Sequence, residues 1–71
     1  MDETLFRERL RKLREERRMN RATLSELCGL ERGAVRRYER GERIPSVPAL
    51  VALADVFEVS LDYLTGRSKF R

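Results

Sequence analysis

The stretch NRATLSELCGLERGAVRRYERGERIPS, residues 20 to 46, decides the fold because two short helical patterns in it flank a turn. Asn20 has a side chain suited to cap a helix, and an amphipathic segment follows it. Gly29 then supplies a residue that tolerates the positive φ with which many helices end. The stretch therefore predicts a helix near 21–28, a turn, and a second helix near 32–39.

The second of these helices is highly charged, yet its few apolar residues have helical spacing. Ala34, Val35 and Tyr38 share one side, which we expect to be buried. The opposite side carries a glycine and three arginines at positions i, i+3, i+4 and i+7, namely Gly33, Arg36, Arg37 and Arg40. Arg32 stands at the leading end. Since an α-helix fits the major groove of B-DNA, where arginine pairs with guanine O6 and N7, this surface is suited to that groove.

Three further helices are predicted outside this stretch, near 3–17, 47–57 and 61–65. Each follows a residue able to cap it: Asp2 or Thr4, then Ser46, then Ser60. The predicted core takes apolar residues at helical spacing from all five helices and the turn: Phe6, Leu10, Leu13, Leu24, Leu27, Cys28, Leu30, Val35, Tyr38, Leu50, Leu53, Ala54, Phe57, Leu61 and Leu64. Strand-like alternation is absent, so the predicted fold class is all-α with five short helices.

The charge of the chain is unevenly distributed. The net charge of +4 lies entirely in residues 1–45, where thirteen Arg and Lys face nine acids, whereas residues 46–71 hold three of each. Fourteen of the sixteen basic residues are arginine, which binds phosphate and guanine with two hydrogen bonds. A basic half of this kind is typical of a protein with one nucleic-acid-binding face, although charge alone equally fits a solvated surface.

Several function classes are disfavoured by composition. The 71 residues include no histidine and a single cysteine, so we expect no metal site and no cofactor, and Cys28 is interpreted as a small core residue. Without a nucleophile beside a base, or a glycine-rich phosphate loop, an enzyme is not expected. No apolar run approaches the roughly 18 residues of a membrane span. Acids near the N-terminus argue against a signal peptide, so a cytoplasmic protein is expected.

Residues 9 to 66 resemble the lambda-repressor-like, Cro-type (XRE) helix-turn-helix domain. The resemblance rests on RLRKLREERR, on the stretch quoted above, and on LVALADVFEVSLDYLTG, in that order and spacing. It implies a DNA-binding domain over 1–66 with a short tail at 67–71. It also implies a sequence-specific double-stranded DNA-binding transcription regulator of phage or bacterial type, expected to be a repressor.

The resemblance also implies roles for individual residues. Base contacts are expected from Arg32, Gly33, Arg36 and Arg37. DNA backbone contacts are expected from Asn20, Arg21, Arg40, Gly41 and Arg43. Arg14 and Glu39 correspond to an ion pair that joins the first helix to the end of the third. A weak homodimer that pairs on an inverted-repeat operator is expected to form through Ile44, Pro45, Glu58, Val59 and Tyr63.

Three residues depart from the family pattern. Glu31 stands where Ser or Thr is common, and its carboxylate is expected to cap poorly and to lower DNA affinity or reject certain bases. Arg18 and Glu58 stand where glycines commonly end helices, so each is expected to adopt a left-handed conformation at a cost of about 1 kcal/mol.

A second function stays open at this stage. The same helix-turn-helix could belong to an antitoxin, a module that binds DNA while another segment holds a toxin. Only five residues follow Gly66, which leaves little room for a partner-binding extension, so we expect the regulator rather than the antitoxin.

Overall fold

Five α-helices and no strand make up the protein in a computed structural model that describes all 71 residues. The helices are α1 (Glu3–Glu16), α2 (Arg21–Leu27), α3 (Ala34–Glu39), α4 (Val47–Phe57) and α5 (Leu61–Leu64). The prediction of an all-α fold with five short helices is confirmed. None of the helices is long and apolar enough to cross a membrane.

Polar side chains start four of the five helices. In each, a side-chain oxygen of the cap residue accepts a hydrogen bond from a backbone N–H three residues later, at 2.7 to 3.2 Å. These bonds satisfy donors that would otherwise lack a partner in the first turn. The caps are Asp2, Asn20, Ser46 and Ser60. Of the two predicted candidates for α1, Asp2 is the one that caps it.

The start of α3 is different. The helix begins at Ala34, so the predicted start at Arg32 is wrong by two residues. Gly33 is the N-cap and supplies no side-chain bond. The Glu31 carboxylate turns toward arginine side chains instead of the backbone, and the buried Val35 N–H is satisfied by Ser25 from α2. The start of α3 is therefore held by a backbone bond from Ala34 N–H to Glu31 O and by the tertiary bond from Val35 N–H to Ser25, without a side-chain cap.

Two helix ends carry the strain expected from the sequence. Arg18 after α1 has φ 53° and Glu58 after α4 has φ 54°, which confirms the left-handed conformations expected at both. Arg17 supports the end of α4 from outside, because its guanidinium donates hydrogen bonds to Val56 O and Phe57 O at 3.3 and 3.1 Å. Those carbonyls belong to the last turn, which lacks helical partners for them.

The core lies where α1, α3, α4 and α5 meet, with α2 added on one side. Ten of the predicted core residues are buried, and Cys28, Leu30 and Leu50 pack against the core half-buried. The prediction that Leu27 and Leu61 belong to the core is wrong, because 58% and 41% of their surface is exposed. Ala34, expected on the inward side of α3, is buried as well, and the buried residues that were not predicted are Arg14, Ser25, Pro45, Ala49 and Tyr63.

The two errors have a geometric cause. On α2 the buried side is centred between Leu24, Ser25 and Cys28, and Leu27 lies more than a quarter of a turn away from it at about 100° per residue. Leu61 opens a helix of one turn, whose inward positions are taken by Tyr63 and Leu64. Short helices present so few positions that periodicity alone leaves their inward face ambiguous.

The last five residues lie against α1 and α5. Arg71 O accepts a hydrogen bond from Ser60 N–H at 2.8 Å, and the Arg71 guanidinium binds the Glu16 carboxylate at 2.8 and 3.0 Å. The hydrogen bonding between Arg71 and Glu16 lowers the pKa of the Glu16 carboxyl group and raises the pKa of Arg71. The Arg71 guanidinium also lies over the Tyr63 ring. Phe70 remains 73% exposed.

Candidate nucleic-acid interface

An arginine surface is built on and around α3. Ala34, Val35 and Tyr38 turn into the core, with 1%, 0% and 5% of their surface exposed. Arg36 and Arg37 point outward from the same helix. Three further exposed arginines border it along the chain, namely Arg32 before it and Arg40 and Arg43 after it. The highly charged stretch is therefore a helix anchored by three small or aromatic side chains, with its arginines in solvent.

A buried serine fixes the angle between α2 and α3. Ser25 is fully buried, and its hydroxyl donates to Arg21 O at 3.0 Å while accepting from Val35 N–H at 3.1 Å. The turn between the helices is closed by Leu30 N–H, which donates to Ser25 O at 2.9 Å. Gly29 adopts φ 68° in that turn, a conformation that costs glycine little. Only a small hydroxyl side chain can occupy this position and make both contacts.

A nearly buried ion pair ties the end of α3 to α1. Arg14 Nε and Nη2 donate to the Glu39 carboxylate at 2.7 and 3.1 Å, and Nη1 donates to Met19 O at 2.9 Å. The two side chains are 9% and 4% exposed. The hydrogen bond to Glu39 raises the pKa of Arg14, against the opposing effect of burial. Arg14 and Glu39, the pair implied by the family resemblance, are thus brought together across the fold.

The start of α2 lies beside this pair. Arg21 Nε donates at 3.0 Å to Glu39 Oε1, the oxygen that also accepts from Arg14 Nη2, and about half of the Arg21 side chain is exposed. Asn20 uses its side-chain oxygen to cap the helix. Both residues were expected at the DNA backbone, and Arg21 also joins the start of α2 to the end of α3.

A second glutamate sits in the middle of the arginine surface. One Glu31 oxygen accepts from Arg43 Nη1 at 2.5 Å and from Arg37 Nη1 at 3.2 Å. Gly33 leaves space for this arrangement, because a Cβ atom there would lie 3.3 Å from Arg37 Nη1. Arg40 Nε is paired with Glu42 at 2.9 Å. Arg32 and Arg36 form no ion pair.

Helical spacing predicted where these arginines lie, whereas their carboxylate partners were not predicted. Glu31 precedes Arg37 by six positions and Arg43 by twelve, which are not helical contact spacings. The Arg37 contact spans the turn just before α3, and the Arg43 contact arises because the chain turns at Gly41, which has φ 71°. That glycine was the one signal in the sequence that Arg43 returns toward the start of α3.

The residues expected at a dimer interface are only partly on the surface. Ile44 is 64% exposed, Glu58 is exposed and Val59 is half-buried. Pro45 is buried within the chain and Tyr63 is 7% exposed, so these two offer little surface to a partner. The neighbouring Val47 is 70% exposed and extends the apolar surface around Ile44.

Other chemistry is not assembled on this surface. No three or more Cys, Asp or Glu side chains are placed together to hold a metal ion. Cys28 is half-buried behind α2, and burial raises the pKa of its thiol, which disfavours the reactive thiolate. The arrangement presents the delocalised positive charges of the arginine guanidinium groups on one surface. This surface can bind an anionic groove or a groove lined by the edges of bases.

Comparison with known proteins adds to this geometry. A helix-turn-helix family model, HTH_3, matches residues 10–64. The chain is 37% identical over 62 residues to the HTH-type transcriptional regulator AnsR of Bacillus subtilis, covering 87% of this chain and 53% of AnsR. It is 34% identical over 62 residues to the cryptic phage CTXphi transcriptional repressor RstR of Vibrio cholerae, covering 87% of this chain and 55% of RstR. The chain therefore spans about half the length of these regulators.

A solved structure has the same fold. The P22 c2 repressor, crystallised in complex with the synthetic operator 9T, superposes with a TM-score of 0.83 at 31% identity, over 90% of this chain and 97% of that one. The fold described above is thus shared with a repressor protein crystallised on a synthetic operator.

Proposed function

The chain belongs to the helix-turn-helix family, and on that premise we propose that it is a sequence-specific double-stranded DNA-binding transcriptional regulator that acts as a repressor. The observation that carries the proposal is the exposed arginine surface of α3, fixed from behind by buried contacts, in the fold of the operator-bound P22 c2 repressor. The names of AnsR and RstR, a transcriptional regulator and a transcriptional repressor, support the same conclusion.

In this proposal α3 lies in the major groove. Base edges are contacted from Arg32, Gly33, Arg36 and Arg37, and the arginines favour guanine. Arg36 and Arg37 extend from the solvent side of α3, and Arg32 is exposed just before it. Gly33 carries no side chain, so the backbone there can approach the DNA closely.

The DNA backbone is held at the edges of the same surface by Asn20, Arg21, Arg40, Gly41 and Arg43. The three arginine side chains in this group are each about half exposed. Such contacts position the protein without selecting sequence. The slope of log affinity against log salt becomes more negative by about 0.9 for each phosphate that is neutralised.

Two copies bind one operator in this proposal. One short helix contacts few base pairs, and proteins of this type commonly bind as two-fold dimers with half-sites about 34 Å apart. Contacts between the copies involve the exposed Ile44 and Glu58 and the half-buried Val59, and the buried Pro45 and Tyr63 contribute at most their small exposed area. The apolar area is small, so the free protein is a monomer or weak dimer that pairs on DNA.

The test is selection of bound duplexes from a random DNA pool, followed by binding measurements on the enriched sequence. We expect an inverted repeat and cooperative binding. The matched control is the same repeat with its half-sites moved apart by half a turn, on which cooperativity should disappear. Failure to enrich any sequence would contradict specific DNA binding, and tight one-to-one binding to a lone half-site would contradict the dimer.

Repression has its own test. A reporter whose promoter overlaps the selected repeat should lose expression when the protein is present, and a reporter with scrambled half-sites should not. Increased expression from the intact repeat would identify an activator instead.

A further inference from the structure

Glu31 is the one carboxylate that binds both a proposed base-contacting arginine and a proposed backbone-contacting arginine. Arg37 and Arg43 converge on the same Glu31 oxygen at 3.2 and 2.5 Å. The other two carboxylates near the surface differ from it, since Glu42 pairs only with Arg40 and Glu39 is almost fully buried. Glu31 is 62% exposed, so its charge faces whatever the arginines face.

We propose that Glu31 is a specificity-determining residue, an internal competitor that occupies Arg37 and Arg43 until operator DNA displaces it. The inference rests on the proposed function, because it assigns a role within the DNA-binding surface. It concerns the ratio of affinities for operator and unrelated DNA rather than binding itself.

Competition follows from the chemistry of the groups. When Arg43 binds a phosphate, it exchanges the Glu31 carboxylate for another oxyanion. The exchange therefore yields little net attraction. The released Glu31 carboxylate then stands near the negatively charged backbone with no cation beside it, and is repelled. Unrelated DNA offers nothing to offset that repulsion.

Operator DNA offers two compensating contacts. Arg37 gains two hydrogen bonds to a guanine, which are stronger and more directional than its long contact to Glu31. The released carboxylate can accept a hydrogen bond from a cytosine N4 amino group in the major groove, which is the base group that suits it. Glu31 therefore weakens binding to most sequences and is tolerated where a guanine and a cytosine stand within reach.

The residues around Glu31 favour its contacts with Arg37 and Arg43. Arg37 lies close to the backbone at Gly33, where a Cβ atom would be 3.3 Å from its Nη1 and would require this side chain to shift by a few tenths of an ångström. Glu31 is free to make these contacts because Ser25, not Glu31, satisfies the Val35 N–H in the first turn of α3. The pairs are exposed and add little to stability, so replacing Glu31 should leave the fold intact.

The experiment compares Glu31→Gln with the wild-type protein on the selected operator and on a scrambled duplex. Glutamine keeps the size and removes the charge. We expect affinity for the scrambled duplex to rise about tenfold at low salt, with a salt slope steeper by about one unit. Affinity for the operator should change less than about threefold, so the specificity ratio falls.

Asp55→Asn is the matched control. It makes the same change in net charge on α4, where Asp55 is exposed and forms no side-chain ion pair or hydrogen bond. This variant should leave both affinities unchanged. Equal increases on both duplexes for Glu31→Gln, or no increase on either, would overturn the inference while leaving the proposed function standing. If the wild-type protein enriches no sequence at all, it is the proposed function that fails.

A measurement without DNA tests the pairing itself. In the free protein, rotation of the Arg37 and Arg43 guanidinium groups, followed by NMR, should become faster in Glu31→Gln because their shared carboxylate is gone. Rotation of Arg14, held by Glu39, should not change. Unchanged rotation at Arg37 and Arg43 would overturn the inference.

Discussion

Glu39 and Glu31 stand at the end and just before the start of the same short helix, and each accepts hydrogen bonds from two arginines. They differ in burial. The Glu39 side chain is 4% exposed and its partner Arg14 9%, whereas Glu31 is 62% exposed and its partners about half. One cluster has been removed from water and the other has not. The same pair of residue types therefore ties α1 to α3 in one place, and in our proposal modulates DNA binding in the other.

Solvent explains the division. Taking charges out of water is costly, so a buried pair leaves a large penalty behind when either partner is removed. An exposed pair is screened by water and salt and contributes little to stability. Its arginines can exchange partners at little cost, which is what a DNA-binding surface requires.

The largest expected effect is on the buried cluster. Glu39→Ala should lower the free energy of unfolding by about 3–5 kcal/mol, because it leaves Arg14 with only Met19 O as an acceptor. Arg14→Ala should cost less than Glu39→Ala, since Arg21 still partners Glu39 at 3.0 Å. Urea denaturation of both variants and the double variant measures the coupling.

Glu26→Ala is the control for that series, because Glu26 is exposed on α2 and forms no ion pair. It should change the free energy of unfolding by less than about 0.5 kcal/mol. A coupling free energy near zero between Arg14 and Glu39 would contradict the expectation that the buried cluster stabilises the fold more than the exposed Glu31 cluster does.

A smaller effect is expected at the buried hydroxyl between α2 and α3. Ser25→Ala should lower the free energy of unfolding by about 1–3 kcal/mol, because the Val35 N–H loses its acceptor inside the protein. Thr23→Ala, an exposed change on the same helix, serves as the control. Equal stability of the two variants would show that the Val35 N–H finds another partner.

The smallest effect belongs to the exposed cluster. Glu31→Gln should change the free energy of unfolding by about 0–1 kcal/mol. A double-mutant cycle between Glu31 and Arg43 should give a small coupling at low salt that vanishes at about 1 M salt. The Arg14–Glu39 coupling should persist at both salt concentrations, and a salt-insensitive Glu31–Arg43 coupling would contradict the comparison.

Much of the fold follows from local chemistry in the sequence. The caps Asn20, Ser46 and Ser60 act where they were predicted, because each bonds an N–H only three residues away. The start of α3 escaped prediction since its partner, Ser25, is ten residues away across a turn. Such a contact exists only once α2 and α3 have packed.

The candidate site divides in the same way. Helical periodicity was sufficient to place Arg36 and Arg37 on the outer side of α3, opposite Val35. The pairing of Arg14 with Glu39, 25 residues apart, came from the family resemblance and has no local signal. An effect of the Glu31 charge on DNA binding was expected from the sequence, but its contacts with Arg37 and Arg43 were not. The Arg43 contact depends on how the turn at Gly41 returns Arg43 to the start of α3.

If α3 selects the DNA sequence through its arginines, repeating the selection from a random duplex pool with Arg37→Ala should abolish the preference at one base position of each half-site, most often a guanine. Binding of this variant to the wild-type operator should be weaker by about 1–3 kcal/mol. Arg43→Ala, run beside it, should keep the wild-type consensus, bind all sequences more weakly and lower the salt slope by about one unit. An unchanged consensus from Arg37→Ala would contradict the assignment of α3 as the surface that contacts the bases.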